Sequence, residues 1–454
     1  MQTSIADFVR EYAKKENSRF HMPGHKGHSF LGCEAYDITE VAGADALYEA
    51  DGIIAESEKY ATELFGTGGT FFSTEGSSQC IRAMLYLAIH YQGGVGRPYV
   101  IAARNAHKAF LYAAALLDFD IVWLWPEEMH SLCSCHISPE QLEEELKRHE
   151  NPPAAVYLTS PDYLGGQLAL GALAAVCHRY HTVLAVDNAH GSYLHFLEKK
   201  CHPMDVGADI CCDSAHKTLP VLTGGAYLQI SKNAPEFFLQ NAKQALALFG
   251  STSPSYLILA SLDLCNVYLA DDYRKKLAVA IENIVNVRQT LENAGWEVEK
   301  TDPLKLTVRA PKGRTGQELA EQLRHNGVEC EYADAEYIVL MATPENTKKD
   351  YDRLVQAFGT NLCEYENRAM LRPVQCEQKC SVRAAFFAAH EQIPVQEAVG
   401  RICGAPTVGC PPAIPIVVSG ELIDENAVAI LIQYEVENVE VLKDGSHISL
   451  TEQP

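Results

Sequence analysis

Short apolar runs alternate with longer segments of helical spacing between about residue 65 and residue 232. Strands are predicted at 99–102, 120–124, 154–158, 182–187, 209–212 and 225–230, with helices at 107–117 and 171–180. Strands that alternate with helices favour crossover connections and a mostly parallel sheet with both faces covered. Because ligands bind at the carboxyl ends of the strands in such sheets, we expect a binding site at that edge.

The remainder of the chain predicts further domains. Helical spacing at 271–294 leads into strand-like runs at 296–298, 305–308 and 337–341, with a helix at 316–326, which is typical of a smaller α/β domain. A chain of 454 residues fits two or three domains of about 100–200 residues each. We therefore divide the sequence into an N-terminal arm (1–60), a large domain (61–270), a small α/β domain (271–365) and a C-terminal domain (366–454).

Composition narrows the class of protein. Lys+Arg number 37 against 59 Asp+Glu, a formal charge of −22, which argues against binding to nucleic acid or to anionic membranes. Residues 1–16 are charged and amphipathic and lack the apolar core of a signal peptide, and the longest apolar runs are too short to cross a bilayer. We therefore expect a cytoplasmic protein whose 15 cysteines are free thiols.

The strongest local signal is a lysine that follows a buried strand. Lys217 lies in the string Asp213-Ser-Ala-His-Lys-Thr-Leu219, directly after the apolar run 208–212. A buried amine is costly unless it is neutralised, paired or used covalently, and it can form a Schiff base with an aldehyde cofactor. Another apolar run, 183–186, ends in the carboxylate Asp187, 217 − 187 = 30 residues earlier. We expect the Asp187 carboxylate and the Lys217 amine to lie in the same cleft at the ends of the two strands.

A third element suits a phosphate group. The string Phe71-Phe-Ser-Thr-Glu-Gly76-Ser-Ser-Gln79 leads into a helical stretch at 80–91. Glycine and hydroxyl groups at a helix N-terminus supply hydrogen-bond donors and the positive end of the helix dipole. Pyridoxal phosphate requires a phosphate cradle, a carboxylate that keeps its pyridine nitrogen protonated and a lysine that carries its aldehyde carbon. The three elements together therefore predict a pyridoxal phosphate site.

Several strings resemble the Orn/Lys/Arg decarboxylase family of fold type I pyridoxal-phosphate enzymes. They are Phe20-His-Met-Pro-Gly-His-Lys-Gly27, Asp37-Ile-Thr-Glu40, Arg104-Asn-Ala-His-Lys108, Asp187-Asn-Ala-His-Gly191, Ser214-Ala-His-Lys-Thr-Leu-Pro220, Ser251-Thr-Ser-Pro-Ser-Tyr256 and Gly400-Arg-Ile402. The resemblance covers nearly the whole chain. It implies an aspartate aminotransferase-like large domain with a mostly parallel sheet, a small α/β domain and a C-terminal domain. The chain looks like the short bacterial form, which has no wing domain before the histidine–proline motif.

The resemblance also implies roles for individual residues. Lys217 would carry the cofactor as a Schiff base, and Asp187 would pair with the pyridine nitrogen. His107 would stack on one face of the ring, and Ala189 would pack on the other. The remaining implied contacts are Ser77, Ser78, Ser214 and His216 to the phosphate, with Gly76 in the same loop, Ser251 near the neighbouring subunit's site in a homodimer or larger oligomer, and His21, His25 and Lys26 at the entrance.

The implied reaction is decarboxylation of a basic amino acid (arginine, lysine or ornithine) to an amine and carbon dioxide. The Schiff base at Lys217 would lead to a quinonoid as the carboxylate leaves, and Lys217 or His216 would return a proton to Cα. Such an enzyme would make a polyamine or its precursor. Two alternatives stay open: an aminotransferase or lyase on the same fold, and a catalytically silent homologue that acts as a regulatory binding protein.

The C-terminal segment departs from the family pattern. After Gly-Arg-Ile, relatives usually have a small residue, an acidic residue and then Pro-Tyr-Pro-Pro-Gly-Ile-Pro. This chain has Ala405 at the acidic position, Cys410 at the tyrosine and Ala413 at the last glycine. If those positions help to read the distal group of the substrate, the specificity is altered. Glu75, where many relatives carry asparagine, is a milder departure beside the phosphate loop.

One further motif contains potential metal ligands. Cys133-Ser-Cys-His136, near His130, combines the ligand types that soft metals prefer. Structural zinc sites need four ligands, and the sequence offers no second pair at the usual spacing. We therefore expect a structural loop here and no metal site.

Overall fold

The computed structural model describes residues 3–443 except 16, 93–95, 128–130, 362, 366–371, 373–374 and 407–411. The chain divides into two compact units. Unit 1 comprises Met1–Gly93, Ala154–Tyr157 and Ala169–Leu277, and unit 2 comprises Gly94–Pro153, Leu158–Leu168 and Ala278–Pro454. The division into an arm and three domains stays a prediction.

Helices and strands alternate through most of the described chain. The α-helices are α1 (Ser4–Lys14), α2 (Ile53–Phe65), α3 (Gly76–Gln92), α4 (Lys108–Leu117), α5 (Pro139–Lys147), α6 (Leu170–Arg179), α7 (Pro203–Val206), α8 (Ala215–Thr218), α9 (Glu236–Ala247), α10 (Tyr256–Ala270), α11 (Tyr273–Asn293), α12 (Gly316–His325), α13 (Lys348–Phe358), α14 (Val382–Phe386) and α15 (Glu425–Gln433). The strands are β1 (Gly69–Ser73), β2 (Tyr99–Ala103), β3 (Asp120–Leu124), β4 (Ala155–Thr159), β5 (Leu184–Asp187), β6 (Ile210–Asp213), β7 (Ala226–Ile230), β8 (Lys305–Arg309), β9 (Tyr332–Ala333), β10 (Tyr337–Met341), β11 (His390–Pro394), β12 (Cys403–Ala405) and β13 (Asn438–Leu442). Single 3₁₀ turns lie at Glu34–Tyr36, Ser192–Phe196 and Val395–Glu397.

The large sheet has seven strands in the order β1-β7-β6-β5-β4-β2-β3. β2 pairs in parallel with β3, and β5 pairs in parallel with β6, whereas β7 runs antiparallel to both β1 and β6. This mostly parallel sheet confirms the predicted α/β fold. The strand predicted at 296–298 is reduced to a single antiparallel bridge between Val298 and Val308. Backbone hydrogen bonds from Glu299 N–H to the Thr307 oxygen (2.9 Å) and from Arg309 N–H to the Glu297 oxygen (3.0 Å) flank this bridge.

β5 and β6 are central strands of unit 1. Every residue in both strands is buried, as expected for parallel strands covered on both faces. Their register places Asp187 opposite Cys212, so the carboxyl ends of the two strands lie side by side. The segments that follow these two strands therefore emerge at the same edge of the sheet, as predicted.

Unit 2 contains two further antiparallel sheets. One has the order β8-β10-β9, and its core includes Trp296, Leu306, Ile338 and Phe358. The other has the order β11-β13-β12 and packs with α15 around the buried residues Val395, Ile430 and Val441. The first of these sheets corresponds to the smaller α/β region that the sequence pattern indicated.

The N-terminal helix α1 begins in the interior of unit 1. The buried carboxylate of Asp263, on α10, accepts hydrogen bonds from the backbone N–H groups of Ile5 (3.0 Å) and Ala6 (2.9 Å). The same carboxylate accepts a hydrogen bond of 2.6 Å from the hydroxyl of Ser57. The first amides of a helix lack partners within the helix, so Asp263 satisfies two of them and fixes the start of α1.

The described cysteines are all free thiols, as expected, and most of them are buried. Burial raises the pKa of Cys80 to about 12. Cys211 and Cys212 occupy the interior strand β6, where thiols pack as small apolar groups. No helix among the described residues has both the length and the apolar character that a membrane crossing requires.

Candidate active site

The amine of Lys217 lies against an imidazole in unit 1. Lys217 is half-buried in α8, the single turn that follows β6, and its Nζ atom lies 2.9 Å from Nε2 of His190. His190 lies in the turn that follows β5, three residues after Asp187, and is 5% exposed. His190 belongs to the motif at 187–191, but the sequence pattern indicated no role for it. Its position just after a strand-end carboxylate was the available signal.

Asp187 ends β5 as a buried carboxylate that accepts hydrogen bonds. The hydroxyl of Tyr157 donates to Oδ2 at 3.1 Å, and the backbone N–H of Ala189 donates to Oδ1 at 3.1 Å. The thiol of Cys212 lies 3.6 Å from Oδ1. Burial and the nearby carboxylate raise the pKa of Tyr157 and of Cys212 well above their usual ranges, so both stay protonated as donors. Asp187 is therefore held in place by neutral donors.

A second aspartate, Asp213, forms a hydrogen-bond network at the same edge of the sheet. Asp213 ends β6 and is fully buried. Its carboxylate accepts hydrogen bonds from the side-chain amides of Asn188 and Gln229, and His202 Nε2 lies 3.1 Å from Oδ2. Asn188 follows β5, Gln229 lies on β7 and His202 precedes α7. The Asp213 carboxylate therefore connects three segments of the chain, directly before Ser214. No sequence pattern indicated this network, because its members are far apart along the chain.

The predicted phosphate loop lies at the start of α3. Gly76 has φ +71°, a conformation that favours glycine, and its N–H donates to the carbonyl oxygen of Gly224 at 2.8 Å. Ser77 and Ser78 follow in the first helical turn and are half-exposed. The hydroxyl of Ser214 lies 2.8 Å from that of Ser77. The structure thus brings the hydroxyls of two predicted phosphate ligands together at a helix N-terminus.

His216 lies beside Lys217 in α8. Its Nδ1 atom lies 3.0 Å from the carbonyl oxygen of Gly225, and its backbone N–H donates to the same oxygen at 3.2 Å. A ring nitrogen that meets a carbonyl oxygen must carry the proton, so Nδ1 is the N–H nitrogen of His216. The ring orientation is thereby fixed relative to Lys217.

The predicted entrance residues form a local cluster near α1. His21 Nε2 lies 2.6 Å from the Tyr12 hydroxyl, and His25 Nε2 lies 3.1 Å from Oδ2 of Asp37. The amine of Lys26 donates to the carbonyl oxygen of His21 at 2.6 Å. These hydrogen bonds run within the N-terminal segment, and the role of the cluster at an entrance stays a prediction.

Ser251 and His107, two other predicted site residues, lie in different units. Ser251 is exposed in the loop before α10, and its hydroxyl oxygen accepts a hydrogen bond from the backbone N–H of Ser253 at 3.1 Å. His107 belongs to unit 2, where it caps α4 by accepting a hydrogen bond at Nδ1 from the N–H of Ala109 at 3.1 Å. Stacking of His107 on a cofactor and approach of Ser251 to a second subunit both stay predictions.

The C-terminal segment of unit 2 is held by a buried arginine. Arg104 is 1% exposed, and its guanidinium donates to the carbonyl oxygens of Pro415 (2.7 Å) and Ile416 (2.8 Å). The buried carboxylate of Glu421 lies 3.9 Å away. The Arg104 guanidinium also lies 5.2 Å from the ring centre of Trp123, a cation–π contact. Arg104 belongs to the motif at 104–108, but its contacts with 415 and 416 depend on the fold and could not be predicted from the sequence.

The residues that depart from the family pattern have separate environments. Ala413 is 1% exposed with φ +57°, a conformation in which an alanine is strained and a glycine is not. Its carbonyl oxygen accepts a hydrogen bond of 2.9 Å from the N–H of Lys108. Ala405 is half-buried in β12, and Glu75 is exposed. Cys410 lies outside the described residues.

Groups of potential metal ligands occur in unit 1. His195, His202 and Asp205 bring ligand atoms within 4.8 Å of one another, and so do His202, Cys211 and Asp213. The members already bond to each other, since His195 Nδ1 lies 2.9 Å from Asp205 and His202 Nε2 lies 3.1 Å from Asp213. These contacts link neighbouring segments of unit 1 to one another, and we propose no metal there.

The cysteines of the string 133–136 have different partners. The thiol of Cys133 lies 3.6 Å from the hydroxyl of Tyr332, and that of Cys135 lies 3.6 Å from the carbonyl oxygen of Leu124. Burial raises the pKa of both thiols above the usual range, which favours their protonated form. His130 lies outside the described residues.

Comparisons with known proteins match nearly the whole chain. A family model described as "Orn/Lys/Arg decarboxylase, major domain" matches residues 3–309. The arginine decarboxylase of Halalkalibacterium halodurans is 30% identical over 464 residues, covering 94% of this chain and 92% of that protein. Lysine decarboxylase A from Pseudomonas aeruginosa superimposes with a TM-score of 0.82 at 18% identity, over 97% of this chain and 80% of that one.

A further solved structure addresses the fold class. Serine palmitoyltransferase from Sphingomonas wittichii superimposes with a TM-score of 0.56 at 14% identity, over 79% of this chain and 83% of that one. At this level of identity the likeness concerns the fold alone. It confirms the fold type I architecture that the sequence predicted.

Proposed function

Because the chain belongs to the Orn/Lys/Arg decarboxylase family of pyridoxal-phosphate-dependent carboxy-lyases, we propose that it decarboxylates a basic L-amino acid. Arginine is the first candidate, since the relative from H. halodurans is named an arginine decarboxylase. The observation that carries the proposal is the half-buried amine of Lys217, 2.9 Å from His190 Nε2, in the same unit as the buried carboxylate of Asp187.

The residues of unit 1 fit pyridoxal phosphate. Ser77 and Ser214 offer hydroxyl donors 2.8 Å apart at the N-terminus of α3, whose first turn carries no acidic residue. Asp187 offers a carboxylate for the ring nitrogen, and Lys217 offers an amine for the aldehyde carbon. Bound there, the cofactor would supply the electron sink that lets the carboxylate leave as carbon dioxide.

Each residue then has a defined task. Asp187 would hold the proton on the ring nitrogen, because its neutral donors leave its negative charge uncompensated. His190 would accept a proton from the Lys217 ammonium, which leaves the amine neutral and nucleophilic. Lys217 or His216 would return a proton to Cα after carbon dioxide leaves.

The wider setting is part of the same proposal. A basic amino acid would yield a polyamine or its precursor in the cytoplasm. The working form would be a homodimer or larger oligomer, in which the exposed Ser251 segment approaches the partner's site. The exposed apolar side chains of Phe20, Phe30 and Leu31 support burial of the N-terminal segment against another subunit. Sedimentation velocity of the purified chain tests this, and a monomer at micromolar concentration would contradict it.

A substrate panel tests the reaction. The full chain is incubated with pyridoxal phosphate and with carboxyl-labelled arginine, lysine or ornithine, and the released carbon dioxide and the amine are measured. We expect carbon dioxide and one amine in equal amounts. A keto acid without carbon dioxide would instead indicate an aminotransferase, and a chain that binds no cofactor would indicate a silent homologue.

A matched pair of variants tests the lysine. Lys217→Ala should lower turnover by at least about 10³-fold and abolish the absorption band of lysine-bound cofactor, because the covalent attachment is lost. Lys232→Ala removes an exposed lysine of the same unit and should leave both unchanged. Retention of the band in Lys217→Ala would overturn the assignment.

A further inference from the structure

The contact between His190 and Lys217 joins two turns that follow neighbouring strands of unit 1. His190 lies in the 187–191 turn, which follows β5, and Lys217 lies in α8, which follows β6. The distance of 2.9 Å between Nε2 and Nζ therefore depends on how the two turns are fixed to each other. A displacement of about 1 Å between reacting groups can cost about 10²-fold in rate. The residues that link the two turns are thus relevant to the proposed reaction.

Asn188 fixes the 187–191 turn to the end of β6. Its backbone N–H donates to the carbonyl oxygen of Cys212 at 3.0 Å, and its side-chain amide donates to Oδ1 of Asp213. Its carbonyl oxygen accepts a hydrogen bond of 2.8 Å from the N–H of Gly191, which closes the turn. A Cβ atom at position 191 would lie 2.0 Å from Oδ1 of Asn188, so the turn closes directly over the Asn188 side chain. The path of the turn is therefore tied to Asp213 through Asn188.

Asp213 lies directly before α8. It ends β6 as a buried residue and precedes Ser214, the N-cap of α8, whose carbonyl oxygen accepts a hydrogen bond of 3.0 Å from the N–H of Lys217. The hydrogen bond between Asn188 and Asp213 therefore links the turn that carries the imidazole to the residue from which the turn with the amine departs.

The donors around Asp213 indicate that its carboxylate orients them. Asn188 and Gln229 donate their side-chain N–H groups to it, and the side-chain oxygens of both amides are buried without a hydrogen-bond partner among the described residues. His202 accepts at Nδ1 from the N–H of Met204 at 3.3 Å, so its Nε2 atom carries the proton that faces Asp213. A carboxylate accepts from all three donors, whereas a side-chain amide at this position would place a donor against one of them. The negative charge of Asp213 thus holds the Asn188 side chain in one orientation.

We propose that Asn188 and Asp213 are positioning residues whose hydrogen bond sets the distance between His190 Nε2 and Lys217 Nζ. The inference rests on the proposed function, in which His190 accepts a proton from Lys217. Neither positioning residue needs to touch the cofactor or the substrate. Without their hydrogen bond, the 187–191 turn shifts relative to α8 and the Lys217 amine loses its proton acceptor.

Competitive acetylation of the full chain without cofactor tests this role, with the rate at each lysine measured by mass spectrometry. In Asn188→Ala, Lys217 should react at least about threefold more slowly relative to the exposed Lys232, because its ammonium has lost its proton acceptor. A merely structural role predicts the opposite, since a loosened fold exposes a half-buried amine and speeds its acetylation.

Gln229→Ala is the matched control. It removes an amide donor to the same carboxylate, but from β7 and not from the 187–191 turn. The Lys217 rate should change less than about twofold, because the turn keeps its own hydrogen bond to Asp213. Thermal unfolding midpoints confirm that the variants are folded.

A swapped pair tests the hydrogen bond without removing it. Asn188→Asp alone places two carboxylates face to face and should slow the acetylation of Lys217. Adding Asp213→Asn restores an amide opposite a carboxylate, and the new amide oxygen can still accept from Gln229 and His202. The double variant should recover at least about half of the rate of the unaltered chain.

Turnover gives a second readout that depends on His190. Asn188→Ala should lower kcat at least about fivefold in the unaltered chain but less than about twofold in His190→Asn, because the contact that Asn188 positions is already absent there. Equal losses in the two backgrounds would contradict the positioning role.

The acetylation results are equally decisive. Unchanged or faster acetylation of Lys217 in Asn188→Ala, equal slowing in Gln229→Ala, or no recovery in the swapped pair would each overturn the inference. Acetylation needs neither cofactor nor substrate. A chain that releases no carbon dioxide would therefore overturn the proposed function, while the acetylation rates decide the positioning separately.

Discussion

The Nε2 atom of His190 lies 2.9 Å from the Nζ atom of Lys217, so an imidazole and an amine share one hydrogen bond in unit 1. His190 follows Asp187 by three residues, in the turn after β5. The end of β5 and the turn that follows it therefore supply the carboxylate and the imidazole of the proposed site.

The first prediction concerns the imidazole. His190→Asn should lower kcat by about 10–100-fold, because the Lys217 ammonium loses its proton acceptor, and should raise the pH at which activity sets in. Cofactor binding should persist. Activity against pH and cofactor absorbance measure the two effects. His181→Asn, at an exposed position with φ +54° that suits asparagine, is the control. An unchanged pH profile in His190→Asn would remove His190 from the mechanism.

The second prediction concerns Arg104. Arg104→Met should lower the free energy of unfolding by about 3–5 kcal/mol, because two carbonyl oxygens lose their donor and Glu421 is left as a buried charge. Adding Glu421→Gln should recover part of this loss. Urea unfolding measures both variants. Arg324→Met breaks an exposed pair and should cost much less than Arg104→Met, because solvent screens the pair. Equal losses in Arg104→Met and Arg324→Met would contradict the buried role.

The third prediction concerns Ala413. Ala413→Gly should raise the free energy of unfolding by about 1 kcal/mol, because the residue has φ +57°. Urea unfolding again provides the measurement. The same change at Ala357, inside helix α13, should lower the free energy by about 1 kcal/mol. A loss of stability in Ala413→Gly would mean that the alanine methyl packs more favourably than its backbone is strained.

The fourth prediction concerns pH and Glu34. Burial raises the pKa of this carboxyl, but hydrogen bonds from backbone N–H groups, including those of Phe30 and Gly32 at 2.9 Å, outweigh it and hold the pKa at about 2. A lowered pKa means that the folded state favours the charged form. The stabilisation is therefore full above pH ~4.5 and is lost as pH falls towards 2.

Replacing the carboxylate shows whether Glu34 causes this pH dependence. Thermal midpoints of the unaltered chain and of Glu34→Gln, measured between pH 7 and pH 2, should differ most above pH ~4.5 and converge towards pH 2. A constant difference across that range would mean that the charge of Glu34 is not responsible.

The sequence predicted the parts of the fold that depend on local pattern. The strands at 120–124 and 337–341 were predicted with the observed bounds, because β-branched and apolar residues are continuous there. The strand predicted at 296–298 forms only as a single bridge from Val298 to Val308, directly after the turn at Gly295. The neighbouring positions of β5 and β6 followed from the alternation of strands and helices.

Contacts between distant residues did not follow from the sequence. Tyr157 donates to Asp187, and His202 meets Asp213, only because the sheet sets the strands in one order and register. A tyrosine on β4 looks the same in the sequence whether it faces a carboxylate or the core. His190 was visible in a motif, but its pairing with Lys217 depends on the turns after two strands.

The differences in burial among the thiols allow local opening of the chain to be followed by chemical labelling. Among the described cysteines, Cys363 alone is exposed. Burial raises the pKa of interior thiols, such as that of Cys376 to about 12, and only the thiolate reacts readily with electrophiles. Among the described cysteines, a maleimide dye should therefore label Cys363 first, while the interior thiols react only as the chain opens. The order of labelling would thus report, residue by residue, which parts of the molecule open first.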